Sequence, residues 1–392
     1  MSDQIEAFHD TATAFADKTD SQLITKHRLF KMLNSPIMNS IGSGIAKLSF
    51  SLGLPVEGLI KKTIFNQFCG GETIEECEPT VEKLHASNIG SILDYSVEGK
   101  SCEHDFDSVK DEIMRTIARA KDDPSIPFSV FKVTGIAPLG TLERMSAKKK
   151  LDAKSQAKCE RIRNRVTEIC EFAFSTGQPV FIDAEDSWIQ DAIDRMATDM
   201  MERFNQVEPI VFNTVQMYRT GRLEYLKSAR REASNNGYIL AVKIVRGAYM
   251  EKERERAAEL GYTSPIHETK AAVDADYDAA IEYCLKYHKD IAFVAATHNE
   301  GSSALLADLM REYDVPADHP NVFFSQLYGM GDNISYALAK QGYNVSKYLP
   351  YGPVADAMPY LIRRAEENTS TAGHVSRELD LIEEEMRRRG LL

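Results

Sequence analysis

The residues whose types and spacing most clearly suggest chemistry lie near the C-terminal end, within residues 343–368. This stretch begins as a short alternating segment, breaks at a proline and a glycine, and continues as a predicted helix with Pro353 near its start. One helix face is polar and aromatic and the opposite face is apolar: the first comprises Tyr360, Arg363, Arg364 and Glu367, the second Val354, Met358, Leu361 and Ala365. Two adjacent guanidinium groups beside a tyrosine suit a carboxylate, because each offers paired donors and keeps its charge. An ordinary solvated helix face is the alternative.

Polar side chains also stand at the ends of short β-like segments. In chain order they are Asp94 and Glu98, Lys132, Asp183 and Glu185, Gln216, Lys243 with Arg246, Gly247, Ala248 and Tyr249, then Thr297, His298 and Asn299, Gln326 with Leu327, and Tyr348. If these segments form a parallel barrel, their C-terminal ends meet at one face, where barrel enzymes have their active sites. The convergence of these groups indicates a site more specifically than any one of them.

Several of these residues have competing interpretations. A lysine near a carboxylate, as Lys132 is expected to be near Asp183, more often forms a structural ion pair than a Schiff base or a catalytic base. His298 has no second histidine at ligand spacing, so a ligand contact is favoured and no metal is predicted. Tyrosines usually belong to the core, but at a barrel mouth beside two arginines Tyr249, Tyr348 and Tyr360 would form an apolar box around a small carboxylated substrate.

Eight β-like segments alternate with helical segments from about residue 87 onward. The β-like segments are 89–97, 128–134, 179–183, 210–216, 239–247, 291–297, 321–326 and 343–349. The helical segments include 106–120, 147–176, 188–205, 219–233, 273–287, 302–313 and 332–341. This rhythm predicts an α/β fold, a (β/α)8 barrel of TIM type. A doubly wound open sheet is the alternative, but no Gly-x-Gly-x-x-Gly turn follows an early strand.

Both ends of the chain are predicted to be helical. The N-terminal segments with helical or amphipathic character are 6–18, 23–33, 41–52 and 56–68. The last two most simply cap the main domain, with a membrane-surface contact as the alternative. Glu/Arg pairs four residues apart stabilise a predicted helix over 376–389. The predicted organisation is therefore an N-terminal helical region over 1–86, a barrel over 87–370 and a helical tail over 371–392.

Composition and charge narrow the class of protein. The 392 residues are 43% hydrophobic with a formal net charge of −12, which suits a globular protein and disfavours a nucleic-acid partner. The stretch 148–165 is rich in lysine and arginine, and we interpret it as the solvated face of a long helix. Without a signal peptide or a transmembrane stretch, we expect reduced cysteines in the cytoplasm, with peripheral contact at the inner membrane surface left open.

The order of these motifs resembles the proline dehydrogenase family in its monofunctional form. The matching pieces are Ile92-Leu-Asp-Tyr-Ser-Val-Glu98, Phe131-Lys132, Asp183-Ala-Glu185, Phe212-Asn-Thr-Val-Gln216, Lys243-Ile-Val-Arg-Gly-Ala-Tyr249, Thr297-His-Asn299, Gln326-Leu-Tyr-Gly-Met330, Tyr348-Leu-Pro-Tyr-Gly and Arg363-Arg-Ala-Glu-Glu-Asn368. Residues 1–86 and the tail match only loosely. We therefore expect the stand-alone enzyme and not a fusion with an aldehyde dehydrogenase.

The resemblance implies a distorted (β/α)8 barrel that binds FAD non-covalently, oxidises L-proline to pyrroline-5-carboxylate and passes electrons to a membrane quinone. The residues implied to bind proline are Glu98, Lys132, Tyr249, Leu327, Tyr348, Tyr360, Arg363 and Arg364. Those implied to bind FAD are Asp183, Gln216, Lys243, Val245, Arg246, Gly247, Ala248, Tyr249, Thr269, Lys270, Thr297, His298, Asn299, Gln326 and Glu367. The residues implied to take part in catalysis are Asp183, Lys243 and Lys132, and the oligomeric state is left open.

Two positions refine this expectation. Many bacterial members of the family carry arginine where this chain has Lys243. A lysine ammonium is a compact charge, whereas an arginine guanidinium offers paired donors, so the contact to the flavin would differ in geometry. The related hydroxyproline dehydrogenases carry a small residue where this chain has Tyr348, so the tyrosine favours proline. Hydride transfer to flavin N5 needs orientation more than a strong base, and we expect the unprotonated proline amine to assist it.

Three alternatives remain open from the sequence. A 4-hydroxyproline dehydrogenase of the same superfamily would differ at Tyr348. A lysine Schiff-base aldolase on the same barrel would use Lys132 and contain no flavin. A non-enzymatic scaffold would bind a partner through its N-terminal helices and would tolerate the loss of Arg363.

Overall fold

Eight parallel strands form a closed barrel in the computed structural model of the protein, which describes residues 3–33, 58, 61–97, 100–148, 152–370 and 374–392. The strands are β1 (Ile89–Tyr95), β2 (Phe128–Phe131), β3 (Val180–Ile182), β4 (Val211–Gln216), β5 (Leu240–Val245), β6 (Ile291–Ala296), β7 (Val322–Leu327) and β8 (Val345–Tyr351). They pair in sequence order, and β8 pairs with β1 to close the barrel. The predicted α/β fold of TIM type is confirmed.

Helices surround the barrel and extend beyond it at both ends. Before β1 lie α1 (Asp3–Ala7), α2 (Thr11–Ala14), α3 (Asp20–Leu33), a π-helical turn (Lys61–Phe65), α4 (Asn66–Phe68) and α5 (Ile74–His85). Between the strands lie α6 (Glu103–Ala120), a 3-10 turn (Val133–Gly135), α7 (Leu139–Ser146), α8 (Ala153–Thr176), α9 (Ser187–Phe204), α10 (Arg222–Asn236), α11 (Met250–Leu260), α12 (Lys270–Lys286), α13 (Glu300–Glu312) and α14 (Asp332–Lys340). After β8 follow α15 (Val354–Ser370) and α16 (His374–Arg388). None of the helices in the described ranges has the length and apolar composition that a bilayer crossing requires.

The strands separate an inner apolar layer from an outer one. Side chains alternate between the two faces of a strand, so Ala241 packs inside the barrel while Val242 packs against the outer helices. Phe128 and Phe181 stack inside the barrel, with their ring centroids 4.5 Å apart. The polar groups at the C-terminal ends of the strands therefore stand above a floor of aromatic and aliphatic side chains.

Two predicted helices begin later than expected. The sequence predicts one helix over 147–176, but α7 ends at Ser146 and α8 begins at Ala153. Lys148 has a φ of 50°, a left-handed conformation that an α-helix of L-residues does not continue. Gly221 has a φ of 77°, which is also a left-handed backbone conformation. The helix α10 therefore begins at Arg222 and not at residue 219.

The N-terminal region and α11 also differ from expectation. The helix predicted over 6–18 is divided into α1 and α2, and α11 was not predicted because its sequence is charged and lacks an apolar stripe. Segment 41–52 lies outside the described residues, so its contacts stay predictions. Of segment 56–68 the structure describes residues 58 and 61–68, where Phe65 and Phe68 pack in the apolar cluster that contains Tyr360. The division into three regions likewise stays a prediction.

A buried cluster of charges joins α3, α14 and α16 to β8. Lys26 Nζ lies 3.0 Å from Asp332 Oδ2 and 2.8 Å from Glu378 Oε1. Lys347 Nζ lies 2.9 Å from the other Asp332 oxygen. Burial alone would raise the pKa of Asp332, but the charges of Lys26 and Lys347 hold that pKa well below its usual range. The cluster thus fixes the terminal helices against the strand that carries Tyr348.

We expect Asp332→Asn to lower the free energy of unfolding by about 3 kcal/mol, because it leaves buried lysine charges without their shared carboxylate. Urea unfolding of the purified variant measures this difference. Asp318→Asn is the matched control, since Asp318 is exposed and its change should stay within about 0.5 kcal/mol. Equal stability of the two variants would show that the cluster contributes nothing to folding.

Candidate active site

Asp183 directly follows β3, and the polar groups of the barrel mouth gather around its buried carboxylate. Its Oδ1 accepts a hydrogen bond from Lys243 Nζ. Its Oδ2 accepts one from the Tyr348 hydroxyl at 2.6 Å and lies 3.3 Å from Lys132 Nζ. Groups from β3, β5 and β8 and from the end of β2 therefore meet at one carboxylate, and these are residues that the sequence analysis assigned to the site.

The surroundings of Asp183 fix its charge and that of its tyrosine partner. Burial alone would raise the pKa of Asp183, but Lys243 and Lys132 lower that pKa to about 2. Burial, followed by the negative charge of Asp183, raises the pKa of Tyr348 well above its usual range. Asp183 is therefore anionic and Tyr348 neutral throughout the physiological pH range.

Asp94 on β1 is a second buried carboxylate of this site, predicted at a strand end but without a specific binding or catalytic contact. Lys132 Nζ lies 3.2 Å from Asp94 Oδ2 and 3.3 Å from Asp183 Oδ2, so it is about equally close to both carboxylates. Ser96 donates its hydroxyl hydrogen to Asp94 Oδ2 at 2.7 Å. Lys132 is thus held between two carboxylates, as expected for a structural ion pair. The only sequence signal for Asp94 was an acidic residue at the end of an apolar strand.

Lys243 is buried between aromatic rings inside the barrel. Its Nζ lies 4.8 Å from the centroid of the Tyr348 ring and 4.9 Å from that of Phe181. Ring faces attract an ammonium group, and Asp183 supplies the opposite charge. The structure therefore places Lys243 within the charge array around Asp183, and its predicted contact with a flavin edge stays a prediction.

The two predicted carboxylate-binding arginines lie on α15 beside tyrosines. The guanidinium carbon of Arg363 lies 5.6 Å from the centroid of the Tyr249 ring, and that of Arg364 lies 5.2 Å from the centroid of Tyr360. Tyr360 was expected on the polar helix face, but it packs in the apolar cluster that contains Leu361. The Tyr360 ring therefore packs in the apolar core and also contacts the guanidinium group of Arg364.

Leu327 at the end of β7 connects the arginine helix with the barrel interior. It packs against the inner cluster that contains Tyr348 and also against the cluster that contains Tyr360. Glu98 and the side chain of Glu367 lie outside the described residues, so their assigned contacts stay predictions.

A second polar network forms at the ends of β5 and β6. Arg246 donates Nε to Asp274 Oδ1 at 2.8 Å, Nη1 to Thr297 Oγ1 at 2.6 Å and Nη2 to Ser302 Oγ at 2.9 Å. Lys270 Nζ donates to the other Asp274 oxygen at 2.5 Å. Three predicted cofactor residues, Arg246, Lys270 and Thr297, therefore belong to one network.

The neighbouring strand and helix ends carry other predicted cofactor residues. Thr269 and Asn299 cap α12 and α13 with their side-chain oxygens. Gln326 donates Nε2 to the Thr297 carbonyl at 3.1 Å. His298 Nε2 accepts a backbone N–H from the end of β7 at 3.4 Å. Each of these side chains is fixed by a bond to the framework.

The ends of β4 and β5 have the features that a flat cofactor requires. Gln216 lies opposite Val245 in the sheet and donates Nε2 to the Glu185 carbonyl at 3.0 Å. Its buried Oε1 has no hydrogen-bond partner among the described residues. Gly247 has a φ of 134°, and an added Cβ would lie 2.5 Å from the Tyr218 ring, so only glycine fits there. The free acceptor of Gln216, beside the half-buried backbone of Gly247 and Ala248, fits the heterocycle of FAD.

We expect Asp183→Asn to destabilise the protein at neutral pH and less as the pH falls. A carboxylate with a lowered pKa stabilises the folded state above the ordinary value of about 4, and this contribution is lost as the pH falls towards about 2. Urea titrations should show a difference in unfolding free energy of about 2–3 kcal/mol near pH 7 that shrinks below about pH 4.

The control for this variant is Asp191→Asn, since Asp191 is exposed on α9. It should behave as the wild type over the whole pH range. A gap between wild type and Asp183→Asn that does not change with pH would show that Asp183 acts through packing and not through its charge.

Comparison with known proteins gives the chain its family. A family model described as proline dehydrogenase matches residues 77–377. The carbapenem antibiotics biosynthesis protein CarD of Pectobacterium carotovorum subsp. carotovorum is 35% identical over 333 residues, which is 85% of this chain and 86% of the relative. Mitochondrial proline dehydrogenase 1 of Dictyostelium discoideum is 32% identical over 426 residues, covering 97% of this chain and 74% of the relative.

A solved structure shares the fold as well. Proline utilization A of Bdellovibrio bacteriovorus has a TM-score of 0.71 to this chain at 21% identity, over 93% of this chain and 38% of that one. The family match runs from before β1 through the two arginines of α15, and so includes every described group that meets at the barrel mouth. On this sequence match and this barrel, the chain belongs to the proline dehydrogenase family.

Proposed function

We propose that this chain oxidises L-proline to pyrroline-5-carboxylate with FAD as its cofactor and a quinone as its electron acceptor. The observation that carries the proposal is the position of Arg363 and Arg364, each beside a tyrosine ring. They lie on the helix that Leu327 connects to the inner apolar cluster containing Tyr348. A cationic pair beside aromatic and aliphatic side chains suits a small amino acid whose only other polar group is its amine.

In this proposal the two arginines bind the proline carboxylate, and the ring packs against Leu327 and Tyr348. Paired guanidinium donors fix the orientation of a carboxylate as well as its position. The Tyr348 ring is itself fixed, because its hydroxyl donates to Asp183 at 2.6 Å. Substrate held at both ends presents one carbon to the cofactor, and such orientation supplies much of the rate in hydride transfer.

The residues at the ends of β4 to β7 would hold FAD. Gln216 offers a free acceptor, Gly247 a half-buried backbone without a side chain, and Arg246 and Lys270 the positive charge that a diphosphate needs. When bound, FAD supplies the two-electron acceptor for the hydride that leaves proline Cδ. The lone pair of the unprotonated amine forms the C=N bond, so no protein base has to remove a carbon-bound proton.

The anaerobic visible spectrum tests the proposal directly. The purified protein should show flavin bands that L-proline bleaches and that trans-4-hydroxy-L-proline scarcely changes. Bleaching by hydroxyproline instead would favour a hydroxyproline dehydrogenase, the activity for which a relative from Xenopus laevis is named. A colourless protein that FAD does not reconstitute would contradict the flavin and favour an aldolase that uses Lys132.

The substrate preference in this experiment should depend on Tyr348. Tyr348→Ser should raise the ratio of kcat/KM for hydroxyproline to that for proline by about tenfold, because it opens space for the extra hydroxyl. Tyr348→Phe is the matched control, since it removes the bond to Asp183 but keeps the ring. An unchanged ratio in the serine variant would show that Tyr348 does not set the preference.

The pH profile should report the substrate amine. Asp183, with a pKa of about 2, and Tyr348, with a pKa well above its usual range, do not titrate between about pH 6 and 9. We expect kcat/KM for proline to rise across this interval as the amine loses its proton. A flat profile from stopped-flow flavin reduction would contradict the requirement for an unprotonated amine.

A further inference from the structure

A cavity of about 250 Å³ opens outside the barrel, between α8, α9 and the segment of α7 with its following turn. It is lined by Arg144, Met145, Lys148, Arg163, Ala192, Arg195, Met196 and Asp199. Four cationic side chains therefore face one concave space with a single carboxylate, in a chain whose formal net charge is −12.

Most of the positively charged side chains of this cavity form no salt bridge with a carboxylate among the described residues. Arg195 donates Nη2 to the Met145 carbonyl at 2.7 Å, which fixes its guanidinium group at the end of α7. Across the described ranges, Arg144, Lys148 and Arg163 form no salt bridge. Four like charges that converge beside a single carboxylate repel one another, and a bound anion reduces that repulsion.

The sequence around the cavity carries a net positive charge, whereas the chain as a whole is negative. Residues 144–165 contain nine lysines and arginines and two acidic residues. The interpretation of this run as an ordinary solvated face holds only in part. Arg161 and Arg165 form salt bridges with Glu103, whereas Arg163 lines the cavity.

We propose that this cavity binds a phosphate group. The guanidinium forks of Arg144, Arg163 and Arg195 suit the oxygens of a tetrahedral anion, and Lys148 adds a compact positive charge. The buried Met145 and Met196 form an apolar floor beside them. Inorganic phosphate and the headgroup of an anionic phospholipid both carry this chemistry. A lipid headgroup bound here would hold the barrel at a membrane surface. This consequence rests on the proposed function, in which the electron acceptor is a quinone.

The test compares the flavin-loaded wild type with two triple variants. The cavity variant is Arg144→Gln, Lys148→Gln and Arg163→Gln. The control is Lys121→Gln, Arg231→Gln and Lys289→Gln, which removes the same charge from exposed positions outside the cavity. Calorimetric titration with inorganic phosphate and sedimentation with phosphatidylcholine vesicles, with and without phosphatidylglycerol, measure binding.

We expect wild type and control to bind one of these anionic probes, and the cavity variant to bind it about a hundredfold more weakly. Phosphate binding that only the cavity variant loses supports a free anion as the ligand. Binding only to vesicles with phosphatidylglycerol, again lost only in the cavity variant, supports a lipid headgroup. Equal weakening in both variants would assign the effect to net charge and overturn the site, as would a wild type that binds neither probe. Flavin reduction by proline tests the proposed function separately.

Discussion

The barrel mouth depends on the buried carboxylate of Asp183 and the three groups that satisfy it. Removing a carboxylate from water costs free energy. Its ion pairs offset that cost only when their geometry is good and its oxygens are all hydrogen-bonded. Lys132, Lys243 and Tyr348 come from different strands, so the strand ends have to reach their positions together. The same interactions lower the pKa of Asp183 and raise that of Tyr348, so they keep the first charged and the second neutral at physiological pH.

The arginine helix depends on parts of the chain that lie far from the barrel in sequence. α15 packs against both α3 and α16, and Tyr360 belongs to the apolar cluster that these helices form. The buried bonds of Lys26 to Asp332 and Glu378 hold the two terminal helices together. The helical ends of the chain are therefore part of what places the guanidinium groups above the barrel mouth.

Much of the fold was predictable because each strand of a parallel barrel is a buried apolar run that ends in a turn. All eight strands overlap their predicted segments, and only β7 and β8 extend past them. The missed helices have a physical reason. Met250–Leu260 is mostly charged, with Glu253 and Ala257 as its buried residues, so it has no apolar periodicity to detect. α7 is short, and the left-handed Lys148 separates it from α8.

By itself the sequence determined which residues stand at the strand ends and that two arginines follow the last strand, since period and spacing are local properties of a chain. Only the tertiary structure decided that Asp94 shares Lys132 with Asp183, and that Tyr360 packs in the core below Arg364. It also brought Arg144, Arg163 and Arg195 around one cavity. Barrel closure, strand register and helix packing decide which distant parts of the chain meet, and a local pattern contains none of these.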